Sequence, residues 1–281
     1  MVARSGQELL EICNQRGISL SEYAIQMEME NSESTREEVI NKMKATLKVM
    51  IDSATEGIEK EVYSVTGLIG GDGYRVNQYL KKGETLTGTT TVMAMAMALS
   101  SSEVNASMGR IVACPTAGSC GILPAVILSA GSKLDKTEDE LVMGLFAAAA
   151  VGTIIAMNAT VSGAEGGCQA ECGSAAAMGS AAVVEMMGGT PKMSLDAAAI
   201  VLKNILGLVC DPVAGLVEIP CAKRNAAGAV SALCTADLVM AGVESKIPFD
   251  DTVSAMYKVG KQLPAELRET AMGGVAITKT G

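Results

Sequence analysis

Over the first sixty positions, apolar residues recur every three or four places among charged ones. Val39, Ile40, Met43, Leu47, Met50, Ile51, Ala54 and Ile58 fall on one helical stripe at that spacing. Ser34-x-x-Glu37 reads as the capping box that opens this helix, and Ser19-x-x-Glu22 as the box of a shorter one before it. The pattern predicts amphipathic helices over residues 1–60 that pack on a main body, residues 61–281.

The body opens without periodicity. From Val62 to Gly88 the chain is rich in glycine, and Gly70-Gly-Asp-Gly73 follows no strand, so a dinucleotide fingerprint is not expected. A tight turn delivering Asp72, Tyr74 or Arg75 toward a pocket is one reading there, and a solvated turn is the preferred one for each of them. From Thr89 onward, long apolar stretches alternate with glycine turns. Helices are expected from the Thr137-x-x-Glu140 cap to Met157, from Cys172 to Met187, from a Ser194 cap to Gly207, from Ala222 to Met240, and from Asp250 to Gln262. No repeat or linker divides this body. The predicted fold class is all-α: a bundle of mostly buried, small-residue helices with glycine-rich turns.

Composition sharpens this picture. Apolar residues make up 49% of the 281 positions, yet there is no tryptophan and only two phenylalanines. Alanine, methionine and glycine dominate instead, and such side chains let helices approach closely, while the usual marks of strands are weak. The net charge of −9 excludes a nucleic-acid surface, which needs a basic face. Without a cationic-then-apolar leader, and with eight cysteines in so large a chain, reduced thiols and a cytoplasmic location are expected. Two uncharged runs, Ile111–Ser132 and Leu141–Ala164, are long enough to cross a bilayer, and the Gly144, Ala148, Gly152 spacing would suit membrane packing. Pro115 and Pro124 interrupt one run, polar residues dilute the other, and an aromatic belt is missing. A soluble protein is therefore preferred over a helical membrane protein.

Three cysteines stand apart from the others. Cys168 lies in the glycine-rich turn Gly163-Ala-Glu-Gly-Gly-Cys-Gln-Ala-Glu171, while Cys210 and Cys221 bracket a segment punctuated by Pro212 and Pro220. There is no histidine, so a metal site here rests on thiolates, which favour iron–sulfur clusters, zinc or Cu(I). Structural zinc closes four protein ligands; a cubane cluster on three cysteines leaves one iron open as a Lewis acid. Cys172 could be a further ligand or a redox partner, and Cys13 and Cys234 read as buried hydrophobes. The loop Cys114-Pro-Thr-Ala-Gly-Ser-Cys-Gly121 offers the Thr116 and Ser119 hydroxyls and a turn at Gly118 into a helix start. Such a start suits a carboxylate or phosphate, although an ordinary capped helix reads the same. Lys223-Arg224-Asn225 places cations after Cys221 that would offset thiolate charge.

Together, Gly-Ala-Glu-Gly-Gly-Cys-Gln-Ala-Glu, Cys-Asp-Pro-Val-x-Gly, Ile-Pro-Cys-x-x-Arg-Asn and Cys-Pro-Thr-Ala-Gly-Ser-Cys-Gly resemble the iron–sulfur L-serine dehydratases. The resemblance is to the α subunit of the two-chain type and spans essentially the whole chain. It implies a mostly helical catalytic domain, a [4Fe-4S] cluster on Cys168, Cys210 and Cys221, and a separate β subunit in a hetero-oligomer. It also implies conversion of L-serine to pyruvate and ammonia without pyridoxal phosphate, in amino-acid degradation and gluconeogenesis. Single-chain members of this family place a C-terminal cysteine on the fourth iron and carry a histidine motif in an added domain. Neither feature is found here. The expected substrate-binding residues are Thr116, Gly118, Ser119, Arg224 and Asn225, with Glu171 as a candidate base. The nearest alternative is an iron–sulfur cysteine desulfidase on the same scaffold.

Overall fold

Hydroxyl side chains start the helices. Ser5, Ser19, Thr35, Thr137 and Thr190 each sit in extended backbone and accept from the N–H three residues on, satisfying a donor that has no partner within the helix. The computed structural model describes residues 2–281. In order they form α1 (Gly6–Arg16), α2 (Leu20–Ser32), α3 (Arg36–Glu59), α4 (Asp72–Leu80), α5 (Thr89–Ala106), α6 (Ile122–Lys133) and α7 (Glu138–Asn158). Then come α8 (Gly163–Gly166), α9 (Ser174–Met186), α10 (Pro191–Asn204), α11 (Cys221–Met240) and α12 (Phe249–Gln262). No strand forms among the described residues; only the isolated bridges Tyr63–Gly70 and Cys210–Arg268 occur. The all-α expectation is met.

Several caps differ from expectation. Thr35, one place after Ser34, caps α3 and forms a reciprocal box with Glu38. Ser19 caps α2, but Glu22 does not close the box, because its carboxylate takes both guanidinium nitrogens of Arg36 at 2.8–2.9 Å. Glu185 on α9 supplies the missing acceptor, receiving Leu20 N at 2.9 Å. Thr190 with Pro191 opens α10, so Ser194 lies inside the helix with its hydroxyl buried and unpaired.

Helix α4 forms where only a loop was expected. Its start at Gly71 has no local cap; instead the Glu103 carboxylate, fully buried on α5, accepts from Asp72 N at 2.5 Å and Gly73 N at 3.3 Å. Burial pushes the Glu103 carboxyl from 4.5 up to about 7, although those two N–H groups draw it down. A folded pKa above the unfolded one favours folding in the protonated form, so this contribution is present below about 4.5 and lost as pH rises through about 7. The unfolding free energy should therefore fall on that account by an amount on the order of 3 kcal/mol at most. Denaturant titrations at pH 4.5 and 8 should show this drop, and Glu103→Gln should flatten it.

At the centre, α9 is buried along almost its whole length, with Ala175, Ala176, Ala177, Gly179, Ala181 and Ala182 at its surface. It touches α6, α7, α10 and α11. These small residues allow the neighbours in: Val126 packs on Gly179, and Met178 of α9 packs on Gly152 of α7. One continuous apolar cluster runs from Ala3 and Leu9 through Leu47, Ile155 and Leu202 to Met256. Helix α7 has the length and hydropathy to span a bilayer, and 56% of its most apolar stretch is buried within the protein. The other uncharged run folds into a short 3-10 turn and the 12-residue α6.

Candidate active site

Just before α9 the backbone widens into a π-turn, Gln169–Gly173, which admits one more residue per turn than an α-helix and often marks a functional site. Gln169 anchors it. Its side-chain nitrogen donates to Gly166 O at 2.9 Å and Met256 O at 3.0 Å, and its oxygen accepts from Gly207 N at 2.9 Å. Glu171 is thereby held within reach of two other loops. Thr116 Oγ1 donates to Glu171 Oε1 at 2.8 Å, and the Cys210 sulfur lies 3.9 Å from Glu171 Oε2. Burial raises the Glu171 carboxyl above the ordinary carboxylate range; Glu269 adds to this, while the Thr116 hydroxyl opposes it.

Cys168, Cys210 and Cys221 are all buried. Cys210 is fixed on both sides: its N–H donates to Leu267 O at 2.9 Å, and its carbonyl accepts from Glu269 N at 2.7 Å. Cys221 begins α11. Burial pushes the Cys221 thiol up to about 12, with Cys168 and Glu171 adding to the shift. The Cys210 thiol is driven higher still, by burial first and then by Cys168. Cys168 goes the other way: its sulfur lies 3.4 Å from that of Cys172, whose thiol lowers it by hydrogen bonding, with Arg224 helping against burial. The Cys172 thiol is correspondingly raised. Cys168 acts on both Cys210 and Cys221, and Cys221 acts on Cys210, so the three predicted cysteines share one neighbourhood.

The remaining predicted residues divide. Arg224 reaches this neighbourhood, donating to Val209 O at 2.8 Å and lying 2.9 Å from Asp211 Oδ1. Lys223 turns away and pairs with Asp72, which Arg75 also contacts. Gly118 packs on the Glu171 carboxylate, where a Cβ would come within 3.2 Å of Oε1. Ser119 is fully buried, with its hydroxyl 3.2 Å from that of Thr116. Asn225 is a latch: it donates to Gly118 O at 2.8 Å and Cys221 O at 2.9 Å, and accepts from Gly121 N at 2.9 Å. Cys234, read as a buried hydrophobe, is exposed on α11.

Among the described residues, no three His, Cys, Asp or Glu side chains converge on a point suited to a single metal ion. A cluster asks for something different, because its ligands attach to separate irons and surround a volume. The donor set here is of that kind, with three buried thiols acting on one another and no imidazole. Gly163 keeps the space beside them clear: a Cβ there would stand 2.5 Å from Glu171 Oε2 and 3.0 Å from Cys210 Sγ. Gly163→Ala should therefore displace both groups and cut activity by about tenfold or more, with little change in far-UV circular dichroism.

The profile of the family described as serine dehydratase alpha chain matches residues 15–276. The chain belongs to that family. It is 49% identical over 278 residues to the probable L-serine dehydratase alpha chain of Bacillus subtilis, covering 99% of this chain and 92% of that one. It is also 47% identical over 277 residues to the L-serine dehydratase alpha chain of Peptoniphilus asaccharolyticus, covering 99% and 95% of the two chains. To L-serine dehydratase 1 of Escherichia coli it is 35% identical over 282 residues, 98% of this chain but only 61% of that longer one. In this serine dehydratase alpha chain, sequence reasoning missed Gln169, Asp211 and Glu269. Glu269 reaches the site only through the Cys210–Arg268 bridge, with a backbone φ of 62°, and no local pattern announces a pairing so distant in sequence.

Proposed function

We propose that this chain is the catalytic α subunit of an L-serine dehydratase, a lyase that converts L-serine to pyruvate and ammonia without pyridoxal phosphate. A [4Fe-4S] cluster would be held by Cys168, Cys210 and Cys221. The observation that carries this reading is the meeting of three buried thiols with Glu171, Thr116 and Arg224 at one end of α9, in a chain of this family. When bound, the cluster supplies a Lewis-acidic iron for the departing hydroxyl.

The chain's own residues do the rest. Arg224 keeps guanidinium nitrogens beyond the Nη1 that meets Val209 and Asp211, and these would take the substrate carboxylate, aided by the Thr116–Ser119 turn. Glu171 would accept the proton from Cα; burial raises its proton affinity toward what a base needs. Thr116 holds that carboxylate in place, and Ser119 and Asn225 fix the loop that carries Thr116. Loss of the Cα proton and the hydroxyl gives aminoacrylate, which tautomerises and hydrolyses to pyruvate and ammonia. A partner β chain is part of the reading, supported by the words alpha chain in the names of two relatives and by the greater length of the Escherichia coli one. Eight free thiols support a cytoplasmic setting.

The test is anaerobic purification with a candidate β chain. About four irons and matching acid-labile sulfide per α chain are expected, with pyruvate formed from L-serine. Stoichiometric zinc without sulfide would refute the cluster, sulfide release from cysteine in place of pyruvate would assign a desulfidase, and full turnover by α alone would remove the partner.

A further inference from the structure

We propose that Cys172 is a positioning residue: once Cys168 has given up its proton as a cluster ligand, the Cys172 thiol turns to donate a hydrogen bond to that sulfur and stabilises the charge which the ligand carries. This rests on the reading that Cys168 holds the cluster. The two sulfurs lie 3.4 Å apart, and Cys172 is fully buried. The two cysteines stand four residues apart where the chain enters the π-turn, a spacing that puts both side chains on one helical face. Arg224 also hydrogen-bonds the Cys168 sulfur, while its Nη1 meets Val209 O and Asp211, so the Cys172 thiol is one of two donors beside this ligand. Hydrogen bonds to ligand sulfurs stabilise the more negative, reduced state of an iron–sulfur centre and so set its potential. Without this donor, the cluster should be easier to oxidise.

The experiment compares wild type, Cys172→Ala, Cys172→Ser and Cys168→Ala after anaerobic reconstitution. Readouts are iron and sulfide per chain, reduction potential, and the rate at which visible absorbance bleaches in air. Cys172→Ala is expected to bind as much iron as wild type, to have a lower potential, and to bleach about tenfold faster. Cys172→Ser, which keeps a donor, should stay near wild type. Unchanged potential and bleaching in Cys172→Ala would overturn the proposal. So would iron loss as complete as in Cys168→Ala, which would make Cys172 a ligand, or a serine variant that behaves like the alanine one, which would leave only packing. A wild-type chain that takes up no iron would instead overturn the cluster reading, an outcome distinct from all of these.

Discussion

Replacing Cys210 by serine is expected to leave a folded chain that no longer retains iron. The backbone at this position is pinned by Leu267 and Glu269, so exchanging sulfur for oxygen changes the donor far more than the fold. A serine hydroxyl is a harder, more weakly acidic donor than a thiol and does not replace a thiolate on iron. Activity should fall on the order of 100-fold or more. Cys234→Ser is the control, since Cys234 is exposed on α11; its iron content and turnover should match wild type. Iron and sulfide analysis with electron paramagnetic resonance checks both. A Cys210→Ser protein with a full iron complement would remove this residue from the ligand set.

Glu171→Gln should be the second large effect. The amide oxygen can still accept from Thr116, as the carboxylate does at 2.8 Å, so the loops should stay together and KM should change little. What disappears is a group able to take a proton from Cα. A loss in kcat of about 10²- to 10⁴-fold is expected. Serine deuterated at Cα separates a base from a structural carboxylate: in the variant, C–H cleavage should become rate-limiting and the isotope effect should grow. An unchanged isotope effect with a modest loss would move the base to another residue or to the β chain.

The helices were legible because their signals are local. Thr137 and Glu140 close a box three residues wide, and α9 is apolar on every side because it is buried on every side. Helix α4 was not legible, since the carboxylate that caps it comes from Glu103, thirty-one residues away in sequence. Ser34 and Ser194 misled for a related reason: a better-placed hydroxyl, Thr35 or Thr190, lay nearby, and only backbone geometry chooses between them. The site divides along the same line. The cysteines and Thr116 stand out in glycine- and proline-rich segments. By contrast, Asn225 looks like a ligand-binding residue next to Arg224 and proves to be joined to backbone on three sides. Its role depends on which loop it faces, and sequence spacing does not carry that information.

The pinning of Cys210 also sets an order of events during synthesis. Its backbone partners, Leu267 and Glu269, and the Val275 N–H that engages the adjoining Asp211 are made well after all three thiols. A nascent polypeptide therefore exposes its sulfurs before it can arrange them. On the proposed reading, a cluster would find its finished socket only once residue 275 has cleared the ribosome.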